Sequence, residues 1–345
     1  MSPLPCVQPA ALPRAAGVTS AYPVVLLASG MNVPDDLLYV DADGSVLVGE
    51  HGDGHISQVL GPGRLVRLPQ VVPEAEGIVQ VGGTTYVADQ YNARVVALTG
   101  TGVRTLIQLQ PVASGENLDG MSIDLKGSGL VVPDSPHGVV LFVDTNGHVT
   151  GRVGGFSRPA GAAPDPAHGG YLIADENASA VFEIANGRAT RVAGNLPGVD
   201  DAVRTADGHL LAILPAAGRL VDVTAGRDLA RGMRNPQGLG FDGARNVLVT
   251  ESDSGRLDLV VTTYAAMVPT GTIQLQPGQP VCVGVLRAPG YSSSVVIHEV
   301  VGGLPGTDPG TGNQGEVVPS ACHLSSCTVT VVLRSNEGDE PASFT

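Results

Sequence analysis

Four carboxylates occupy the same position of a phrase that is repeated along this sequence. The phrase is a polar or small residue followed by a short apolar run, and it begins at Asp35, Glu76, Asp119, Ala160, Asp200 and Gln237. These six residues, here called the repeat-start residues, lie about 40 positions apart. Carboxylates that a fold brings together raise one another's pKa unless a cation neutralises them, and all-oxygen ligands favour Ca²⁺ or Mg²⁺ over Zn²⁺. The pattern predicts a divalent-metal site, with Ca²⁺ preferred, whose ligands are Asp35, Glu76, Asp119 and Asp200.

The sequence indicates almost no cation that could balance these acids. Lysine occurs once, at Lys126, and Arg94, Arg219 and Arg256 fall where strands are predicted to begin. A divalent metal is then the simplest counter-charge, and the Gln237 amide would orient a bound substrate. The alternative is that the acids only cap turns and hold water in a channel.

Three histidines lie in predicted turns near these acids. The segment Glu50 to His55 holds two imidazoles and two acids, and His137 falls in the equivalent turn of the third repeat. An imidazole beside a metal-bound water or substrate is a natural general base at neutral pH. We therefore predict His51 or His137 as the general base, with Asp200 as a further catalytic candidate. Solvated loop histidines are the alternative.

A second set of acids ends the predicted second strand of five repeats, namely Glu50, Asp89, Asp134, Asp175 and Glu251, with Leu214 as the exception. Acids at strand ends commonly satisfy turn amides, so a structural role is the first interpretation for Asp89, Asp134, Asp175 and Glu251. Their position also predicts a substrate rim formed by Glu50, His55, Asp89, Tyr91, Asn92, Asp134, Gln237 and Glu251.

The repeats themselves predict the elements that position these residues. Each repeat reads as a short apolar strand, a Gly/Asp turn, a β-branched second strand and two further strands. A period near 40 filled with short strands is typical of a β-propeller with one blade per repeat. Because the last repeat ends after three strands near Tyr264, the segment from Val24 to Met31 is predicted to supply its fourth strand and close a six-bladed ring.

The chain after Tyr264 has a different character. It lacks the 40-residue period and reads as alternating strands around a Pro/Gly-rich loop, which predicts a small β-sandwich-like domain. We therefore divide the all-β chain into an N-terminal arm (1–20), a propeller (21–264), a C-terminal β-domain (265–334) and a flexible tail (335–345).

Composition limits the partners and the compartment. A net charge of −14 argues against nucleic acid, and no apolar run reaches the ~18 residues that span a bilayer. Four cysteines allow three pairings; the local pair Cys322–Cys327 would leave Cys6 with Cys282. Disulfides would indicate a secreted, cell-surface or periplasmic protein whose leader is not in this chain. Four thiols in a cytoplasmic protein are the alternative.

The segment from Val87 to Val95 resembles an NHL repeat. The repeat-start residues are similar in position to the metal ligands of the senescence marker protein/gluconolactonase and paraoxonase propellers. In those families Glu, Asn and Asp at blade starts hold Ca²⁺, which polarises an ester or lactone carbonyl while a neighbouring His or acid activates water. The resemblance covers roughly residues 24 to 264 and implies the same role for the four carboxylates, although Asn is absent from these positions here.

A second resemblance concerns the segments Leu26 to Pro34, Val46 to Gly52 and Arg234 to Leu239, which are similar to soluble quinoprotein sugar dehydrogenases. Those enzymes use pyrroloquinoline quinone, a tricarboxylate that needs several cationic contacts. Since the predicted rim is acidic and lacks the family's His-x-Gly-Gly motif, we expect no pyrroloquinoline quinone.

These inferences predict a metal-dependent hydrolase that opens a small-molecule lactone or ester at the propeller rim. A non-catalytic propeller that binds protein or glycan is the alternative. Propellers of this shape also include lyases and sugar dehydrogenases, so the fold alone does not determine the reaction.

Overall fold

The computed structural model describes residues 5–8, 11–267, 273–274, 279, 281–292, 295–301, 314–317, 326–327, 330–335 and 342–344. Within this part of the chain, residues 24 to 260 form six antiparallel sheets that follow one another in sequence around a ring. The predicted six-bladed β-propeller is therefore confirmed.

The first four blades each use four consecutive strands. Blade 1 contains Pro34–Val40, Ser45–Glu50, His55–Gly61 and Arg64–Val71. Blade 2 contains Ala75–Val81, Thr84–Asp89, Arg94–Thr99 and Gly102–Gln108. Blade 3 contains Ser122–Ile123, Gly129–Asp134, Val139–Asp144 and Val149–Gly154. Blade 4 contains Pro159–Asp165, Gly170–Asp175, Ala180–Ala185 and Arg188–Gly194.

The last two blades both take a strand from the N-terminal region. Blade 5 contains Thr19–Ser20, Ala202–Arg204, Leu210–Leu214, Arg219–Asp222 and Arg227–Arg231. Blade 6 contains Val24–Ser29, Pro236–Phe241, Val247–Glu251 and Arg256–Val260. Short 3₁₀ turns follow the second strand in blades 3, 5 and 6, at Ser135–His137, Pro215–Ala217 and Ser252–Ser254.

The N-terminal segment closes the ring as predicted. Val24–Ser29 pairs antiparallel with Arg256–Val260, with Val25 opposite Leu259. The preceding strand, in which Thr19 pairs with Arg231 at the outer edge of blade 5, was not predicted from the sequence. The N-terminal segment therefore pairs with the outer strand of blade 5 and supplies the outer strand of blade 6. The last sequential strand of each of these two blades thus has a hydrogen-bonded neighbour.

Apolar side chains between adjacent blades form the core. Between blades 1 and 2, for example, Leu47 and Ile56 pack with Ile78 and Val87, and all four are buried. The second strands lie in the middle of their sheets and are buried on both faces, so they read as nearly continuous apolar runs.

After the propeller the described residues form three small antiparallel sheets. Their strands are Tyr264–Met267, Ile273–Gln274, Val281–Arg287, Val295–Val301, Gln314–Val317, Ser326–Cys327, Thr330–Ser335 and Ala342–Phe344. Tyr264 is fully buried in one apolar cluster with Leu248 and Leu257 of blade 6, so this region begins in contact with the propeller. None of the described helices is long and apolar enough to span a membrane.

A disulfide joins the N-terminal arm to this region. Cys6 and Cys282 are bonded, with Cα atoms 5.4 Å apart, and the backbone N–H of Cys282 donates to the Val7 carbonyl. This is the bond predicted from the sequence, where pairing Cys322 with Cys327 left Cys6 to pair with Cys282. The predicted Cys322–Cys327 bond lies outside the described residues.

Candidate metal centre

The repeat-start residues converge on the propeller axis. One carboxylate oxygen from each of Asp35, Glu76 and Asp119 lies within 4.8 Å of the other two. Asp200 and Gln237 line the same axial cavity. We call Asp35, Glu76, Asp119, Ala160, Asp200 and Gln237 the axial ring.

Bulges aim these side chains at the axis. In blade 1 the pairing of the first two strands jumps from Pro34 to Leu37, which leaves Asp35 and Asp36 outside the ladder. The same jump falls between Ala75 and Ile78 in blade 2. Blades 4 and 6 repeat it around their own repeat-start residues. A bulge releases residues from the alternation of a strand and re-aims their side chains, so the ring depends on these four irregularities.

Glycine after the repeat-start residue lets the blades meet. A Cβ at Gly77 would lie 2.4 Å from the Met121 nitrogen, and one at Gly161 would lie 2.5 Å from the Asp200 carbonyl oxygen. The equivalent position in blade 6, Gly238, would meet the Asp35 carbonyl oxygen at 2.6 Å. No larger residue fits without moving backbone, which explains how the carboxylates come so close together.

The acids that end the second strands anchor the loops before the ring. Glu50 accepts a hydrogen bond from the Asn32 backbone N–H at 2.5 Å. Asp175 accepts from Ser157 N–H at 2.7 Å, and Glu251 accepts from the backbone N–H three residues before Gln237 at 2.6 Å. Glu50, Asp175 and Glu251 are fully buried, so they fix the approach of the chain to the axis.

The predicted rim residues of blade 2 form a local network. Asp89 is buried and accepts from the Asn92 side-chain amide at 2.9 Å and from Arg94 Nε at 2.7 Å. Tyr91 projects outward with 64% of its surface exposed. Of these residues, only Tyr91 is free to meet a ligand directly.

Burial and mutual repulsion raise the pKa values of the ring acids. Burial raises the pKa of Asp35, Glu76 and Asp200 well above their usual range, and the charges of the neighbouring ring carboxylates raise these pKa values further. A protonated Asp35 can donate to Glu76, and their side chains are hydrogen-bonded. A bound cation would offset the repulsion among these carboxylates, so the ring is suited to one.

The ring has one protein cation that the sequence analysis missed. Burial raises the pKa of Asp119, while the Arg158 guanidinium opposes that rise. Arg158 Nη2 lies 3.3 Å from an Asp119 oxygen and 3.7 Å from Glu116, and Nη1 contacts Glu176. The expectation of an almost cation-free rim was wrong. Arg158 lies two residues before Ala160, so the one repeat without a polar repeat-start residue supplies an arginine instead.

A second, deeper pair of acids was also missed. Asp36 and Asp201 follow ring residues directly and line the axial cavity. Asp36 accepts from the Ile78 backbone N–H at 3.2 Å, and Asp201 from that of Leu239 at 3.1 Å. Each therefore ties its blade to the next one, and burial raises the pKa of Asp36 to about 7.

Of the predicted histidines, His51 contacts the ring. Its Nδ1 lies 2.6 Å from Glu76 Oε1, and about a third of its side chain is exposed at the rim. His137 instead pairs with Asp134 at 2.6 Å within its own turn, and His55 with Asp53 at 3.0 Å. The geometry therefore favours His51 over His137 as the imidazole next to a ring-bound group.

Another acidic cluster lies near the opposite ends of the strands. Asp165, His168 and Glu183 have possible ligand atoms within 4.8 Å of one another. Arg204 Nε already contacts Asp165 at 2.8 Å, so this cluster has its own counter-charge. Among the described residues, the axial ring is the better cation site because it gathers more carboxylates around a single arginine.

The fit to a divalent cation follows from the donor set. The ring offers oxygen atoms from carboxylates and, at Gln237, from an amide. Hard cations such as Ca²⁺ and Mg²⁺ take such ligands. Asp35, Glu76 and Asp119 offer ligand atoms close enough to one another to share one ion, and Asp200 lines the same cavity.

Comparison with known proteins supports the fold. No protein-family model matches the chain, and no curated protein matches it. A solved gluconolactonase from Xanthomonas campestris is similar, with a TM-score of 0.58 and 13% identity over 75% of this chain and 98% of that one. Virginiamycin B lyase from Staphylococcus aureus matches with a TM-score of 0.53 and 13% identity over 70% of this chain and 98% of that one.

A chain of a nidogen–laminin complex matches with a TM-score of 0.51 and 14% identity, over 64% of this chain and 95% of the other. Structures of this shape thus include a gluconolactonase, a virginiamycin B lyase and a chain of a nidogen–laminin complex. The chain is a six-bladed β-propeller of the kind found in gluconolactonase and virginiamycin B lyase.

Proposed function

We propose that this protein is a divalent-metal-dependent hydrolase that opens a lactone or ester at the axial ring. The observation that carries the proposal is the contact between His51 and Glu76, because it places an imidazole directly beside the carboxylates of the axial ring. A bound cation, Ca²⁺ by preference, would polarise the carbonyl group of the substrate.

Glu76 sets the tautomer of His51. When Glu76 is ionised, as a metal ligand must be, the short contact places a proton on His51 Nδ1 and leaves Nε2 unprotonated. Nε2 can then accept a proton from the attacking water. The water oxygen bonds to the carbonyl carbon of the substrate. The acyl C–O bond of the lactone or ester then breaks, and the departing alkoxide recovers the proton from His51 Nε2.

Arg158 complements this arrangement from the other side of the ring. Its contacts with Asp119, Glu116 and Glu176 hold the guanidinium in place, and a fixed cation stabilises negative charge that develops on the carbonyl oxygen. The Arg158 guanidinium also opposes the rise that burial gives the pKa of Asp119, and so favours the ionised form that a metal ligand requires.

The test is a panel of lactones and aryl esters assayed with Ca²⁺ and with EDTA. We expect Ca²⁺-dependent turnover that falls about 100-fold or more in His51→Gln. His137→Gln is the matched control, since this histidine lies on another blade and pairs only with Asp134, and it should retain activity. Absence of turnover on every substrate, or turnover that EDTA does not affect, would contradict the proposal.

A lyase reaction is the second candidate, because virginiamycin B lyase shares the fold and an imidazole base can equally remove a C–H proton. Reaction in ¹⁸O-labelled water separates the two. Hydrolysis incorporates the label into the acid product, whereas elimination does not.

The disulfide supports an oxidising compartment. Cys6 and Cys282 pair across the molecule, and structural disulfides persist mainly outside the cytoplasm. We therefore infer a secreted, cell-surface or periplasmic protein. Non-reducing mass spectrometry of protein recovered from its native compartment tests this, since two alkylated thiols would place it in the cytoplasm.

A further inference from the structure

A second cavity opens between blades 5 and 6, beside the axial ring. It has a volume of about 340 Å³ and is lined by Pro215, Ala216, Ala217, Gly218, Gly232, Met233, Arg234, Asn235 and Asp253. Asn235 precedes the ring residue Gln237 by two positions, so the cavity lies within ~7 Å of the ring along the chain. The cavity is therefore lined by the segment that leads directly into the ring residue Gln237.

The cavity contains an unpaired cation. Among the described residues, nothing forms a hydrogen bond or ion pair with the Arg234 side chain, which is exposed. In contrast, Arg94, Arg158 and Arg256 each contact a carboxylate. Because no described side chain neutralises it, the Arg234 guanidinium is available to a ligand.

The backbone of Arg234 is fixed although its side chain is free. Its N–H donates to buried Glu251 at 2.6 Å, and its carbonyl accepts from the Asp253 N–H at 3.3 Å. The side chain of Arg234 therefore extends from a fixed backbone position beside the cavity.

Blade 5 supplies an apolar wall on the other side. Its second strand ends at Leu214, where the other five blades have an acid, and the turn Pro215–Ala217 follows. Met233 completes this wall. The combination of an apolar wall and a free arginine suits a carboxylate attached to a small apolar body.

We propose that this cavity is a substrate subsite in which Arg234 binds a carboxylate carried by the lactone or ester. The assignment to a substrate rests on the proposed hydrolase function, whereas carboxylate binding does not. An exposed charge pair contributes up to about 1 kcal/mol, which corresponds to a preference of roughly fivefold for the carboxylate over its neutral isostere.

The kinetic test compares 4-carboxyphenyl acetate with 4-carbamoylphenyl acetate on the Ca²⁺-loaded protein. We expect kcat/KM to favour the carboxylate about fivefold, Arg234→Gln to abolish the preference, and Arg234→Lys to restore part of it. Arg104→Gln removes an equal charge from an exposed position on the outer strand of blade 2 and should leave the preference unchanged. A preference that survives Arg234→Gln overturns the subsite.

A binding test separates the subsite from the catalytic proposal. Calorimetry with 4-hydroxybenzoate and 4-hydroxybenzamide needs no turnover. Binding of the benzoate that is lost in Arg234→Gln upholds the subsite even if no ester is hydrolysed. Benzoate binding that is absent, or equal in wild type and Arg234→Gln, overturns the subsite while leaving hydrolysis a separate question.

Discussion

At the residue scale, Asp258 shows how burial couples protonation to stability. Asp258 is fully buried in blade 6, and no N–H or O–H group of the described residues donates to either of its oxygens. Burial together with neighbouring Glu251 raises its pKa to about 8. The folded protein therefore keeps the Asp258 proton, which is donated to Glu251, the acid that holds the loop before Gln237.

This residue should make stability fall as the pH rises. Its pKa is about 8 in the fold against 3.8 ordinarily, so its stabilising contribution is complete below pH 4 and is lost between about pH 4 and 8. Asp258→Asn keeps a hydrogen-bond donor without the charge. We expect its free energy of unfolding to match wild type near pH 4 and to exceed it by a margin that grows with pH and reaches about 5 kcal/mol at pH 8.

Urea denaturation at several pH values measures this difference. Exposed Asp41→Asn is the control and should show no pH-dependent gain of that size. A difference between Asp258→Asn and wild type that stays constant from pH 4 to 8 would contradict the assignment.

The ring acids could be predicted from the sequence because they repeat, whereas their partners could not. Asp35, Glu76, Asp119 and Asp200 recur at one position, and that position alone predicts convergence. Arg158 lies off that position, two residues before Ala160, and its guanidinium reaches Asp119 only because blades 3 and 4 adjoin. A long side chain can contact residues of the neighbouring repeat, and the pattern within one repeat does not predict which residue it contacts.

At the element scale, the contacts between inner strands determine whether the ring can form. Gly161→Ala would place a Cβ 2.5 Å from the Asp200 carbonyl oxygen and 2.6 Å from Asp201 Oδ1. Because backbone must move to accommodate it, we expect a loss of about 2–3 kcal/mol in unfolding free energy. The substitution should also weaken metal binding by displacing Asp200.

The matched control is Gly102→Ala, since the only atom within 4 Å of a Cβ there is Thr99 Oγ1 at 4.0 Å. Thermal and chemical unfolding measures the loss of stability in both variants. Equal stability of Gly161→Ala and Gly102→Ala would show that the blades do not meet as closely as the structure indicates.

Strand order could be predicted from the 40-residue period, and so could the closing strand, which has the same pattern as the fourth strands. Two features could not. The bulges at Asp35, Glu76, Ala160 and Gln237 leave no mark in apolar periodicity, because the residues they release are polar, alanine or glycine. The strand Thr19–Ser20 is too short for a pattern and depends on the free edge of blade 5.

At the scale of the whole molecule, the disulfide ties the N-terminal arm to the region after the propeller. Cys6 and Cys282 are separated by 276 residues, and loop-entropy models assign such a bond roughly 4–5 kcal/mol, with smaller gains common. We expect Cys6→Ser with Cys282→Ser to unfold at least 2 kcal/mol more easily than oxidised wild type. A reductant should weaken wild type to the same level without affecting the variant, and insensitivity of wild type to reductant would contradict this.

Calorimetric titration of metal-stripped protein with Ca²⁺ would show whether the axial ring binds one divalent cation. We expect a single site that disappears in Asp119→Asn with Asp200→Asn and that persists in His168→Gln with Glu183→Gln, which alters the acidic cluster away from the axis. Saturation at ~100 times the dissociation constant should raise the unfolding free energy of wild type by about 2.7 kcal/mol. No binding to wild type, or binding lost in the second variant and kept in the first, would contradict the account.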